Sequence, residues 1–213
     1  VTLLHVHQLK IGYTTQLACI SGLELASGDC LELSGPNGSG KSTFLKTLAG
    51  LLPDLGGHFR YHVDTCKWVS YLGQSQEIDW HFPLTVGELV LLGRQPFRKW
   101  PLGWSKADRE RATWALQQVR LLEYAACPIQ ILSGGQRQRA FLARCLAQDA
   151  RLLLLDEPLK GLDADSVVEL EGLLESQRQQ GLALVVVTHQ PLTTLRPTQK
   201  MLFGCPQIEV RAC

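Results

Sequence analysis

Apolar and polar residues alternate with a period of two over residues 3–9 and 17–25, which predicts two strands with a turn at Gly12 and Tyr13. A third short strand, residues 29–34, runs into a glycine-rich loop. Residues 42–52 read as a helix stopped by Pro53 and the Gly56-Gly57 pair. Residues 67–72 form another strand, ending at Gln74. From 85 to 126 the period becomes helical, opening with Thr85 as N-cap and Glu88 three residues on, a capping-box spacing. Residues 105–120 give a helix with one charged and one apolar face, and residues 133–148 give a third. The rhythm then changes back. Leu152, Leu153, Leu154 and Leu155 are an unbroken apolar run, as expected of a strand covered on both faces. An amphipathic helix over 165–180, a buried strand over 182–188 and a terminal hairpin over 200–210 complete the chain. The pattern predicts an α/β core interrupted by a mostly helical insert of about fifty residues.

Composition narrows the partners more than the fold. The chain has 213 residues, 45% of them hydrophobic, which is enough to bury a core without metal or disulfide staples. Its formal net charge is +1 with no long run of one sign, so it lacks the basic footprint of a nucleic-acid binder. No apolar stretch approaches the roughly 20 residues of a membrane-spanning helix. Residues 1–10 carry no basic cluster ahead of an apolar segment, so a secretion signal is not expected there. Seven cysteines (19, 30, 66, 127, 145, 205 and 213) show no C-x-x-C spacing and read as reduced thiols. His5 and His7 share a strand face, and His58 and His62 lie four apart. Without Cys or carboxylate partners at ligand spacing, these read as packed or solvated histidines.

The chemistry begins at Gly35-Pro36-Asn37-Gly38-Ser39-Gly40-Lys41-Ser42-Thr43, a match to the phosphate-loop pattern G-x-x-x-x-G-K-[ST]. Glycines let the backbone wrap so that successive N–H groups face phosphate oxygens, and the following helix adds its positive end. Lys41 supplies a point charge to the outer phosphates, and the Ser42 hydroxyl is a candidate Mg2+ ligand. A loop of this kind does not by itself separate kinase, GTPase and ATPase. Asp156 and Glu157 follow the buried leucine strand, where ligands bind in such sheets. Asp156 is placed to hold Mg2+, and Glu157 to orient or deprotonate the attacking water. No N-K-x-D guanine-recognition motif occurs.

With Leu132-Ser133-Gly134-Gly135-Gln136 added, the chain resembles the ATP-binding cassette (ABC) family. The resemblance implies a P-loop NTPase core with an antiparallel β subdomain and an inserted helical subdomain. One ABC ATPase domain would cover residues 1–213, with 1–75 and 149–213 as the α/β core and 76–148 as the helical subdomain. It also implies that Ser133, Gly134, Gly135 and Gln136 face the ATP of a partner subunit in a head-to-tail dimer, with Asp163 crossing the interface. By the same resemblance Gln74 contacts Mg2+ and the attacking water, His189 bonds the γ-phosphate, and Tyr13 stacks on adenine. One position departs from the pattern: Lys160 stands where the family has a small or polar residue.

Transport is favoured over soluble roles in DNA repair, chromosome organisation or translation. Relatives of those kinds carry long coiled coils or two cassettes, and this sequence shows neither. The implied partners are a second ATPase subunit, identical or not, integral membrane permease subunits and an extracytoplasmic solute-binding protein. The implied location is the cytoplasmic face of the inner membrane. Asp79-Trp80-His81-Phe82-Pro83 looks like the ATPases of zinc, manganese and iron importers. Gly93-Arg94-Gln95-Pro96 and Ala107-Asp108-Arg109-Glu110 are shared with those and with siderophore, haem and cobalamin importers. Trp80, Phe82 and Pro83 form either an apolar lip for a permease helix or packing inside the insert.

Overall fold

The computed structural model describes residues 1–62, 65–73, 82–98, 101–204 and 210–212, with the side chains of 65, 66 and 210–212 left aside. Gln74 and the Asp79-Trp80-His81 stretch, both singled out above, lie outside the described residues. Two long strands, β1 (Thr2–Gly12) and β2 (Gln16–Ala26), pair antiparallel. The strand β4 (Gly57–Tyr61) adds to the other side of β1, giving an antiparallel sheet in the order β2-β1-β4. The alternation of residues 58–62 had not pointed to β4. The strand is mostly exposed, so its period carries little contrast, and only Phe59 and Tyr61 pack against the core.

The second sheet is built from β3 (Cys30–Ser34), β5 (Val69–Leu72), β6 (Leu152–Asp156), β7 (Ala183–Val187), β8 (Gln199–Leu202) and β9 (Val210–Ala212). Its order is β5-β6-β7-β3-β8-β9, parallel throughout except for the antiparallel edge strand β9. The leucine run becomes β6, and its side chains divide by parity. Leu153 and Leu155 enter a core shared with the helical insert, while Leu152 and Leu154 enter one shared with the antiparallel sheet. All four are fully buried, each stabilising by about 1.5–3 kcal/mol relative to exposure. Helix α1 (Lys41–Leu48) lies in the second of these cores, with Phe44 against Phe203 at 5.9 Å between ring centroids. It is shorter than the helix read over 42–52, because the chain leaves it through Ala49 and Gly50, whose φ is 71°. A single turn, α2 (Thr65–Trp68), precedes β5, so that strand starts two residues later than its apolar pattern.

The insert contains α3 (Val86–Leu91), a 3-10 stretch (Leu92–Phe97), α4 (Lys106–Gln118) and α5 (Gly134–Ala147). The Thr85–Glu88 capping box is present, and Ser105 with Asp108 forms a second at the start of α4. Asp108 does double duty. It also receives the Arg94 guanidinium at 3.0 Å, while Arg94 Nη1 donates to the carbonyl of Ala147 at 3.0 Å and the guanidinium lies 4.0 Å above the Phe97 ring. The two stretches around Arg94 and Asp108 are therefore one buried brace inside the insert. Between them, Gly93 sits so close to α5 that an added Cβ would lie 2.1 Å from the Arg144 carbonyl oxygen. Gly93→Ala is expected to lower stability by about 1–3 kcal/mol through forced separation of the two segments, read as a lower urea midpoint. After β6 the chain forms α6 (Ala164–Gln179) and returns as β7. Among the described residues no helix is long and apolar enough to cross a membrane.

Candidate functional site

The phosphate loop joins β3 to α1, at the carboxyl end of the parallel sheet. Gly40 is the N-cap of α1 with φ 102°, a left-handed conformation that only glycine adopts without cost. Placing Gly40 there aims the unpaired N–H groups of the first helical turn outward into a cavity of about 560 Å³. Asn37, Gly38, Ser39, Gly40, Lys41, Ser42 and Thr43 line it on one side. Tyr13, 58% exposed, lines it from the turn between β1 and β2, and Leu17 from the start of β2. These two make an apolar lip of the kind a purine ring covers. Lys41 is only 6% exposed, and its Nζ donates to the carbonyls of Gly35 and Pro36 at 2.7 and 2.8 Å. Burial pulls its ammonium below the usual lysine range, and the charges of Glu157 and Asp156 oppose that shift.

The carboxylates come from the end of β6. Asp156 is 1% exposed, close to the Ser42 hydroxyl, and its Oδ1 has no hydrogen-bond partner in the protein. Burial raises its carboxyl above the ordinary aspartate range, the Ser42 hydrogen bond lowers it, and the neighbouring charge of Glu157 adds to the rise. A buried oxygen left without a donor, beside a hydroxyl, is a donor set that fits a hard cation such as Mg2+. Glu157 follows with φ 53°, one of three non-glycine residues at positive φ among the described residues. Its N–H bonds the Val187 carbonyl at 3.1 Å, which fixes the residue against β7. Its Oε1 lies 3.0 Å from His189 Nε2, and its Oε2 lies 2.9 Å from Lys160 Nζ. His189 reaches it from the end of β7, where Thr188 and Gln190 close a small turn through their 2.8 and 3.1 Å hydrogen bonds.

Lys41 and Ser42 of the phosphate loop, Glu157 and His189, which lie on three segments of the sequence, thus border one cavity. Leu17, Leu159, Lys160, Gly161, Thr188 and Gln190 also line it and had not been singled out for that role. Their only signal was adjacency to a motif. None of Ser133, Gly134, Gly135, Gln136 or Asp163 is among the described residues lining it. Ser133 instead caps α5: Gln136 N–H donates to Ser133 Oγ at 3.3 Å, and Ser133 N–H donates to Gln136 Oε1 at 2.9 Å. Asp163 caps α6, accepting from Ser166 N–H at 2.9 Å. Helix α5 is linked to the turn after Glu157, since Gln138 Nε2 donates to the Pro158 carbonyl at 3.0 Å. The four strand histidines gather no metal set. His5 pairs with Glu24 at 3.2 Å and stacks edge-on with His7, and among the described residues no group of three or more ligands could hold a metal ion.

A family described as ABC transporter matches residues 20–160, which spans the phosphate loop, Ser133 to Gln136 and the two carboxylates. The chain belongs to the ABC transporter family. Members bind and hydrolyse ATP. The chain is 39% identical over 185 residues to the zinc transport system ATP-binding protein TroB of Treponema pallidum, covering 85% of this chain and 70% of that one. It is 38% identical over 191 residues to the manganese transport system ATP-binding protein MntB of Listeria monocytogenes, covering 87% and 80%. An inward-facing ABC transporter described as of metal-chelate type superposes with a TM-score of 0.87 at 28% identity, covering 100% of this chain and 84% of that one. The cbiO1 subunit of Clostridium perfringens shares the fold, with a TM-score of 0.81 at 22% identity, covering 99% and 88%. The α/β core with an antiparallel sheet and a helical insert is therefore the ABC ATPase fold that the motifs implied.

Proposed function

We propose that this ABC ATPase drives import of a divalent metal cation of the zinc, manganese and iron group. Its two active sites would form between two ATPase subunits bound to membrane permease subunits. The cargo reading rests on similarity to zinc and manganese transport ATPases across about 85% of the chain. An extracytoplasmic solute-binding protein and a position on the cytoplasmic face of the membrane follow from the same reading. Residues 1–75 and 149–213 would serve as the nucleotide core, and 76–148 as the arm that meets the permease.

The single observation carrying the mechanism is the meeting of Lys41, Ser42 and Glu157 at one cavity mouthed by the phosphate loop, with Asp156 buried behind it beside Ser42. Loop amides and Lys41 would hold the outer phosphates, and Tyr13 would cover the adenine. Ser42, Asp156 and Gln74 would hold Mg2+, which when bound neutralises phosphate charge. Glu157 would take a proton from the attacking water as its oxygen bonds to the γ-phosphorus. The bond from that phosphorus to the bridging oxygen then breaks, and ADP leaves with the electron pair. His189, now on Glu157 Oε1, is within reach to turn to the γ-phosphate. Ser133, Gly134, Gly135, Gln136 and Asp163 would complete the site of the partner subunit.

Vesicles holding the assembled transporter decide the cargo. ATP-dependent accumulation of radioactive Mn2+ or Zn2+, lost when either ATP or Mg2+ is withheld, is the expected result. Uptake of a ferric siderophore, haem or cobalamin with no uptake of the bare cations would overturn the metal-cation reading while leaving the ATPase mechanism standing.

A further inference from the structure

The chain carries a lysine, Lys160, three residues beyond its catalytic carboxylate, and the local backbone makes the two meet. Pro158 follows Glu157 and favours a turn at that point. The Lys160 N–H donates back to the Glu157 carbonyl at 3.3 Å, which closes the turn and brings both side chains to one side. Lys160 Nζ then reaches Glu157 Oε2 at 2.9 Å while His189 Nε2 holds Oε1 at 3.0 Å. The carboxylate is 10% exposed. Each oxygen keeps a second acceptor site, but with a donor already on each and so little open surface, Lys160 competes with a water for the Glu157 carboxylate. Lys160 itself is 69% exposed, so its ammonium can swing into solvent at small cost.

The turn that holds this contact is not isolated. The Pro158 carbonyl accepts from Gln138 of α5, and Gly135, at the exposed start of α5, lies against the Leu162 side chain. Arg139 of the same helix donates to Ser166 at 2.8 Å, and Ser166 is bound to Asp163 at the start of α6. Any displacement of the start of α5 therefore reaches the segment 158–163 through three side-chain contacts.

We propose that Lys160 is a positioning residue for ATP hydrolysis, a latch that occupies Glu157 in the resting subunit and is withdrawn when a partner subunit closes on the start of α5. This rests on the reading of Glu157 as the base that activates water. The latch ties turnover to assembly, because a subunit with bound ATP but no closed partner keeps its base engaged.

The test is steady-state ATPase of the full chain, measured as kcat and KM for the wild type and for Lys160→Ser, Lys160→Ala and Lys160→Arg. Loss of a half-exposed ion pair predicts a rise in basal kcat of roughly two- to fivefold for Ser and Ala, with KM little changed. Arginine restores a cation within reach and should reverse most of that rise. A role limited to holding the turn together would not be rescued by Arg in this way. An unchanged or lower kcat in the Ser and Ala variants overturns the latch, and so does a shift confined to KM. Glu157→Gln in both the wild-type and Lys160→Ser backgrounds separates the two readings. If turnover survives Glu157→Gln, the base assignment fails. If it is lost in both backgrounds and Lys160→Ser alone changes nothing, only the latch fails.

Discussion

Glu157→Gln leaves ATP affinity within about twofold of the wild type and lowers turnover by roughly 10²–10⁴-fold, the range expected for loss of a general base. The amide is nearly isosteric with the carboxylate, so the turn, the left-handed backbone and the hydrogen bond to Val187 stay in place. What disappears is the proton acceptor. The affinity side of the prediction follows from geometry, because Glu157 meets the cavity from the end of β6, whereas the phosphate loop leads into α1. Equilibrium titration with a fluorescent ATP analogue, beside phosphate release in a single turnover, reads the two quantities separately. Turnover within a few-fold of the wild type would assign water activation to another group.

The opposite split is expected at the other end of the cavity. Lys41→Ala should weaken ATP binding by about 10–100-fold, the loss of charge-assisted hydrogen bonds to phosphate, and turnover at fixed ATP should fall with it. Its thermal stability should hold, because the buried ammonium carries a desolvation cost that the alanine does not. The carbonyls of Gly35 and Pro36, which the ammonium engages, belong to a half-buried and an exposed residue, so water can replace the lost donor. Calorimetric titration with ATP and a melting curve on the same sample check the pair of outcomes. A variant that binds ATP normally removes Lys41 from the phosphate site, and one that melts many degrees lower would make the lost affinity a folding effect.

The centre of the parallel sheet was legible because two of its strands are apolar on both faces: the runs ending at Asp156 and Val187 differ from everything around them. The phosphate loop and the two carboxylates were legible because their chemistry fixes residue type and spacing together. Strand β4 was not, since it pairs with β1 some fifty residues earlier in the chain and buries little. The ends of α1 and β5 were misread for a related reason, because a helix and its exit turn can share one apolar pattern. The contact between Lys160 and Glu157 depends on a positive φ at a glutamate, which no residue pattern announces. Arg94 and Asp108 were noticed as stretches shared with importers, yet their pairing with each other required the folded insert. Ser133 and Asp163 were read only as residues facing a partner subunit, and their capping of α5 and α6 became visible in the fold.

The parity of the leucines in β6 reaches beyond stability. One strand is the common wall of two cores, with Leu153 and Leu155 anchored toward the insert and Leu152 and Leu154 toward the antiparallel sheet. The same strand ends in Asp156 and Glu157. The two carboxylates thus stand at the end of the one partition that both cores share.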